Sequence, residues 1–522
     1  MRPSSDIHLC PMAFVAVAVA LGIWAADAFR LRLPLLAVVA IALGLFAVGA
    51  MTSRKSLISD AAVLFGAFFF GVAVCLSCLE RIPSVVLGEE EEWEGVVMSR
   101  PQQHGRVFMA DVMVARGRLA GHSLRVSIYA DDRSRRLDEG FGIRCRSAVE
   151  PIEDFGPERN FSFRRWAMSH DIVGRTFLYS TAWTTANVRL TDLSRAERIV
   201  VKSRLLRRKI GEKLHAQFSD ADAEGIVSAM VVGDKSGLTK ELRDMYSVVG
   251  ASHVLALSGM HLGIIFCVLS YVFFRRRFRF FGLLAVLCVI WGYALLTGLS
   301  PSILRAAIML TVYSFADILV RRHNALNTLG IAALAILTVS PLSLWDVGFQ
   351  MSFMSMLGIV VLYSPLYTLI PLKIVRRYWL VDMLWQICCI SLSAQVGVAP
   401  LVAFYFCRFS CYFLLSSIVV SVMAFLILSC SVVALPMILL GVFPGVAGSA
   451  LALLAKVQNS LLGGISSLPH ASIENIRINH VQLILMYVVI AALFALAGRV
   501  LLIVKRSRVW QSISHAADDV TS

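Results

Sequence analysis

Charge is scarce in this chain. Only 16% of its 522 residues are Asp, Glu, Lys or Arg, against about 25% in a soluble globular domain. Acidic side chains are scarcer still, 34 against 49 basic ones. There is no H-E-x-x-H motif, no paired C-x-x-C of zinc type and no P-loop, so no metal or nucleotide cofactor is expected. Cys75 and Cys78 form a C-x-x-C, but inside an apolar run and without a second pair. Long repeats and low-complexity tracts are absent. What remains is apolar: 58% of residues are hydrophobic and mean hydropathy is +0.74. This excludes a cytosolic enzyme, a disordered tail and a small disulfide scaffold, and implies an integral membrane protein.

Runs long enough to approach a bilayer span fall near residues 12–28, 34–50, 57–79, 254–274, 280–298, 301–320, 326–342, 348–370, 379–404, 411–441, 446–466 and 480–504. The 411–441 run is too long for a simple span; Pro436 is expected to kink it, or part of it to re-enter. Ala26-Asp27-Ala28 imitates a signal-peptidase site, but two further runs follow at once. Basic clusters at Arg275–Arg277 with Arg279, Arg321–Arg322, Lys373 with Arg376–Arg377, and Lys505–Arg506 with Arg508 follow even-numbered runs, which predicts cytoplasmic loops. Counting back puts both termini inside and residues 80–250 outside, although Arg30 and Arg32 then also lie outside. Residues 80–250 hold 27 of the 49 basic and 25 of the 34 acidic residues, so the net positive charge belongs mainly to the loops between spans.

The outer segment alternates in Trp93–Met98, Arg106–Ala115, Ser123–Ala130, Gly142–Val149 and Arg175–Thr181, with turn residues between the middle segments. Five short strands suit a small β-barrel, with an OB-like fold as the leading candidate. It contains a single cysteine, Cys145, and so no internal disulfide. Residues 195–217 then carry eight Lys or Arg on an apolar-periodic frame. They fit either a helix on the membrane surface or a basic helix packed on the β-domain.

Polar residues at span starts are the chemically informative ones. HVLALSGMHLG places His253 ahead of Ser258 and His261, the latter two on one helical face. PSILRAAIM opens a span with Ser302 and Arg305; DVGFQMSFMSMLG carries Gln350 and Ser352; SLSAQVGVAP carries Gln395. Such residues mark a transport path or glue helices together. Asp317, Asp382 and Lys456 are candidate partners for the ionisable ones.

MVVGDKSGL (Met230–Leu238), SHVLALSGMHLG, PSILRAAIM and NALNTLGIAALAILTVSPLSLWDVGFQMSF (Asn324–Phe353), in this order, resemble the competence domain of the ComEC family. GPERNFSFRRWAMSHDIVG (Gly156–Gly174) resembles the segment closing that family's outer β-domain. The resemblance implies a bacterial inner-membrane channel passing single-stranded DNA inward during natural transformation, working with an outer DNA-receptor protein and a cytosolic helicase. Many members add a metallo-β-lactamase-like domain; 18 residues follow the last predicted span here, with no H-x-H-x-D-H motif, so nuclease activity is not expected.

The expected protein is thus a polytopic α-helical membrane protein of twelve spans with an extracytoplasmic OB-like β-domain. Its parts are a three-span unit (1–79), the β-domain (80–194), an amphipathic linker (195–250), a channel domain (251–504) and a cytoplasmic tail (505–522). It is expected to be a transport channel rather than an enzyme. His253, Ser258, His261, Ser302, Arg305, Gln350, Ser352 and Gln395 are the candidate path residues. Any DNA contact on the outer segment must be local, such as Arg133, Arg135, Arg136, Arg144 and Arg146 or the helix at 195–213. Two other readings stay open: an exporter of a small or lipidic substrate, and an intramembrane hydrolase using Ser258 with a His.

Overall fold

The computed structural model describes residues 11–52, 57–81, 90–154, 162–188, 191, 193–273, 279–318 and 324–499. The basic clusters at Arg275–Arg277, Arg321–Arg322 and Lys505–Arg508, the 505–522 tail and part of the Gly156–Gly174 motif lie outside the described residues, as does the side chain of Asp317. The chain begins with α1 (Pro11–Ala28), α2 (Leu35–Met51) and α3 (Leu57–Arg81). Val19 and Ile23 of α1 are buried in one core with Ala67 and Val72 of α3.

The β-domain follows: β1 (Glu90–Val97), β2 (Gln102–His104), β3 (Val107–Arg116), β4 (Ser123–Tyr129), β5 (Gly142–Ala148), the short helix α4 (Phe163–Ser169), β6 (Ile172–Leu178) and β7 (Trp183–Thr185). The five expected strands are present, and two three-residue strands, β2 and β7, join them. Inward positions alternate, and Val112, Val114, Leu124, Val126, Ile128, Ile143 and Leu178 form one apolar core. Each such side chain contributes about 1.5–3 kcal/mol by leaving water. The strand order is β6-β4-β3-β1-β5-β7, with β2 on β3. Only the β4–β6 pair is parallel. The sheet does not close into the expected barrel: past the end of β5, Glu150 meets Arg175 of β6 through an isolated bridge. Pro151, the next residue, has no N–H to extend a ladder.

Then come α5 (Arg195–His215), α6 (Ala221–Val231), α7 (Lys240–Val248), α8 (Ser252–Leu255), α9 (Gly259–Phe273), α10 (Arg279–Leu296), α11 (Pro301–Ile318), α12 (Ala325–Val339), α13 (Val347–Tyr367), α14 (Leu372–Val375), α15 (Trp379–Phe406), β8 (Arg408–Ser410), α16 (Phe413–Leu440), α17 (Pro444–Ser466) and β9 (Ser472–Glu474), with α18 at His480–Arg499. All twelve apolar runs are therefore helical. Among the described residues, six helices are long and apolar enough to cross a membrane: α1, α3, α13, α15, α16 and α18. Another five, α2 and α9 to α12, are apolar but shorter. The 411–441 run is one continuous helix with Pro436 inside it, so no part of it breaks into a re-entrant turn. Neighbouring helices satisfy backbone groups that a membrane Pro frees.

Two packing features position the candidate residues. The helices α13 and α15 touch backbone to backbone, because Gly358 lies on Ser393 and Gly397 on Met354. Residues 195–250 form three helices, of which α6 and α7 share one core with the α16–α17 hairpin, through Ile226, Val227, Met230 and Tyr246 against Ala424, Ile427, Leu451 and Ala455. Polar ties run along this seam: Lys456 with Asp220 at 3.2 Å, Gln458 Nε2 donating to the Tyr246 hydroxyl at 3.0 Å, and that hydroxyl donating to Asn459 at 2.8 Å.

Candidate functional site

The β-domain rests on the helix ends through α4 and α5. Ser162 caps α4; its Arg165 pairs with Asp27 of α1 at 2.8 Å and lies over the Trp345 ring at 5.3 Å. Along α4, Phe163, Trp166 and His170 stack in sequence. Arg125 of β4, held by Asp111 at 2.9 Å, packs over Trp166 at 4.9 Å. One face of α5 packs on the β-domain. A capping box from Ser194 and Glu197 starts α5. Its Val201 is buried with Val96 and Met98 of the β-domain, while Arg204 donates to Met98 O. Arg207 faces Glu139 at 3.5 Å, and Arg208 pairs with Asp138 at 2.6 Å. Burial raises the Glu139 carboxyl above its ordinary range, against the pull of Arg207 and Arg204. The same burial lowers the Arg204 guanidinium.

Two polar groups gather four of the eight candidate residues. The first lies at the α8–α9 junction. Ser258 Oγ is 2.8 Å from His261 Nδ1, and Ser258 N–H also points there at 3.4 Å. Both contacts use Nδ1 as acceptor, which puts the imidazole proton on Nε2. That Nε2 is buried without a partner. His253 is exposed, with Nδ1 3.2 Å from Gly250 O. The second group joins α11, α13 and α15. Arg305 is 2% exposed and its Nη2 donates to Gly348 O at 2.8 Å, while its Nε is unpartnered. Asp346 caps α13, accepting from Phe349 N at 2.7 Å. Gln350 spans two elements: its Nε2 donates to Leu344 O at 2.9 Å and its Oε1 accepts from the Tyr405 hydroxyl at 2.9 Å. The groups adjoin where Gly259 of α9 meets Ala306 of α11.

Ser302 is half-buried at the start of α11, and Ser352 and Gln395 are half-buried near the α13–α15 crossing. Neither Asp382 nor Lys456 partners Arg305: Asp382 accepts from Tyr367 at 2.7 Å, and Lys456 holds Asp220. Sequence reasoning left out Asp346 and Tyr405. An Asp directly before a helical run is an N-cap signal; nothing in VAFYF distinguishes Tyr405. No group of three or more metal-ligating residues occurs among the described residues. On the β-domain three of the five candidate arginines are engaged: Arg144 with Glu94, Arg146 with Glu90 at 3.3 Å, and Arg133 with Ser180 O; Arg135 and Arg136 lie in the short turn Ser134–Arg136.

The family model described as "Competence protein" matches residues 230–500, from within α6 to the end of α18. This chain belongs to that competence protein family. Its curated relatives include ComE operon protein 3 of Bacillus subtilis (strain 168), 31% identical over 190 residues, which is 36% of this chain and 23% of the relative. Competence protein ComA of Neisseria gonorrhoeae is 25% identical over 245 residues, 43% of this chain and 33% of ComA. Recombination protein 2 of Haemophilus influenzae is 26% identical over 149 residues, 27% of this chain and 19% of the relative. The match thus spans a third or less of each of these three relatives. No solved structure matches. For a competence-family chain, the matched region contains both polar groups and leaves out most of the β-domain side of the junction.

Proposed function

We propose that this chain forms the inner-membrane channel through which single-stranded DNA enters the cytoplasm during natural transformation. Membership in the competence protein family carries the reading. The junction supports it, since the polar groups of α9, α11 and α13 lie at the starts of those helices, and Trp345, just before α13, carries Arg165 of α4 over its ring. In this reading the β-domain is an OB-like module on the extracytoplasmic face, and the strand passes from it toward Gln350, Tyr405, Ser352 and Gln395. Sequence-independent passage needs polar lining and stacking surfaces rather than base-specific contacts. Arg305 serves the path from behind, fastening α11 to the first turn of α13. With its arginines largely engaged by carboxylates, the β-domain holds DNA weakly, because sequence-independent affinity is mostly phosphate electrostatics. An outer DNA receptor and a cytosolic helicase are the proposed partners.

The test is uptake of radiolabelled double-stranded DNA in a deletion strain with and without the restored gene. Nuclease-resistant, single-stranded label in the cytoplasm should require the gene. Transformation unaffected by deletion would sink the channel and favour an exporter. The hydrolase reading gains no support from Ser258 and His261, because His261 Nε2 meets no orienting carboxylate.

A further inference from the structure

A cavity of about 710 Å³ opens between α2, α3, the end of α12 and the underside of the β-domain. Its volume falls in the range of small-molecule sites, ~300–1,000 Å³. Its two ends differ in chemistry. One wall is apolar, built from Leu35, Val39, Leu43 and Phe46 of α2 with Phe70 and Val74 of α3. Leu43 is 63% exposed and Val339, at the rim, 86%, which is expected of side chains that meet hydrocarbon rather than water. The other end is polar: Arg81 at the last turn of α3, His122 in the β3–β4 turn and Asp171 between α4 and β6.

We propose that this cavity binds one bilayer phospholipid, an acyl chain lying along α2 and α3 and the phosphate held by Arg81. The order of groups is that of a phospholipid entering from the membrane: hydrocarbon against apolar helices, then a cation at the interface. Arg is suited to the headgroup, since its planar fork matches phosphate oxygens. A free anion would use only the polar end and leave the apolar wall uncovered. The lipid would fill the gap between the first membrane unit and the β-domain, beside the Arg165–Asp27 contact. The inference does not depend on DNA transport.

The test is native mass spectrometry of the full chain released from lipid nanodiscs of phosphatidylglycerol and phosphatidylethanolamine. Wild type should retain one phospholipid. Val39→Trp, which fills the apolar wall from a partly exposed position, should lose it. Arg81→Gln, an exposed change, should lower retention at least several-fold. Retention by Val39→Trp equal to wild type, or a wild type stripped clean under the same conditions, overturns the proposal. So does displacement of the lipid by millimolar inorganic phosphate, which would mark a simple anion site. If Val39→Trp fails to fold, as read from its melting curve, Arg81→Gln decides alone.

Discussion

Arg305→Gln should loosen α11 from α13. The guanidinium is 2% exposed, so in this conformation it does not face a passing strand. Its Nη2 lies 2.8 Å from Gly348 O, and both it and the Asp346 carboxylate lie against Gly348. A hydrogen bond from a charged donor contributes about 1.5–3 kcal/mol. Gln is too short to make it and leaves a small void, so the total loss is about 2–4 kcal/mol. Arg305→Lys keeps the charge but not the planar fork, and about half that loss is expected. Thermal unfolding of the full chain in detergent, followed by tryptophan fluorescence, measures the order wild type, Lys, Gln. DNA uptake in the complemented deletion strain should fall in the same order. A Gln variant that melts like wild type yet takes up no DNA would refute the fastening role and put the guanidinium on the strand itself. Normal melting and normal uptake would remove Arg305 from the mechanism.

Gly397→Ala should destabilise by about 1–3 kcal/mol or more, because its Cβ would lie 2.2 Å from Met354 O; an unchanged melting temperature would show that α13 and α15 do not pack this way. At Glu139, burial raises the folded-state carboxyl above its unfolded value. Its contribution to stability is therefore complete below ~4.3 and lost as pH rises through the raised value. Glu139→Gln should remove that part of the pH dependence, and identical melting profiles for both proteins from acid to neutral pH would contradict it. Gln103→Cys, exposed on β2, should react with a membrane-impermeant maleimide in intact spheroplasts; labelling only after lysis would reverse the orientation.

What was legible in the sequence is what depends on local pattern. Apolar run length located twelve helices, since a segment in hydrocarbon must satisfy its own backbone. Period-2 alternation located the five longer strands, because side chains of a strand point to opposite faces in turn. Polar residues at span starts pointed to Ser258, His261, Arg305 and Gln350, which the fold gathers into two adjoining groups. Contacts between distant segments were decided only by the tertiary structure. Tyr405 reaches Gln350 from a helix that begins 29 residues after it. Arg165 reaches Asp27 from the β-domain, and α6 shares a core with α16 and α17. The strands β2 and β7, three residues each, carry too few positions for a period to show. The partners of Arg305 were likewise beyond reach, because a buried cation takes whichever oxygen the packing presents, and here that is the backbone carbonyl of Gly348.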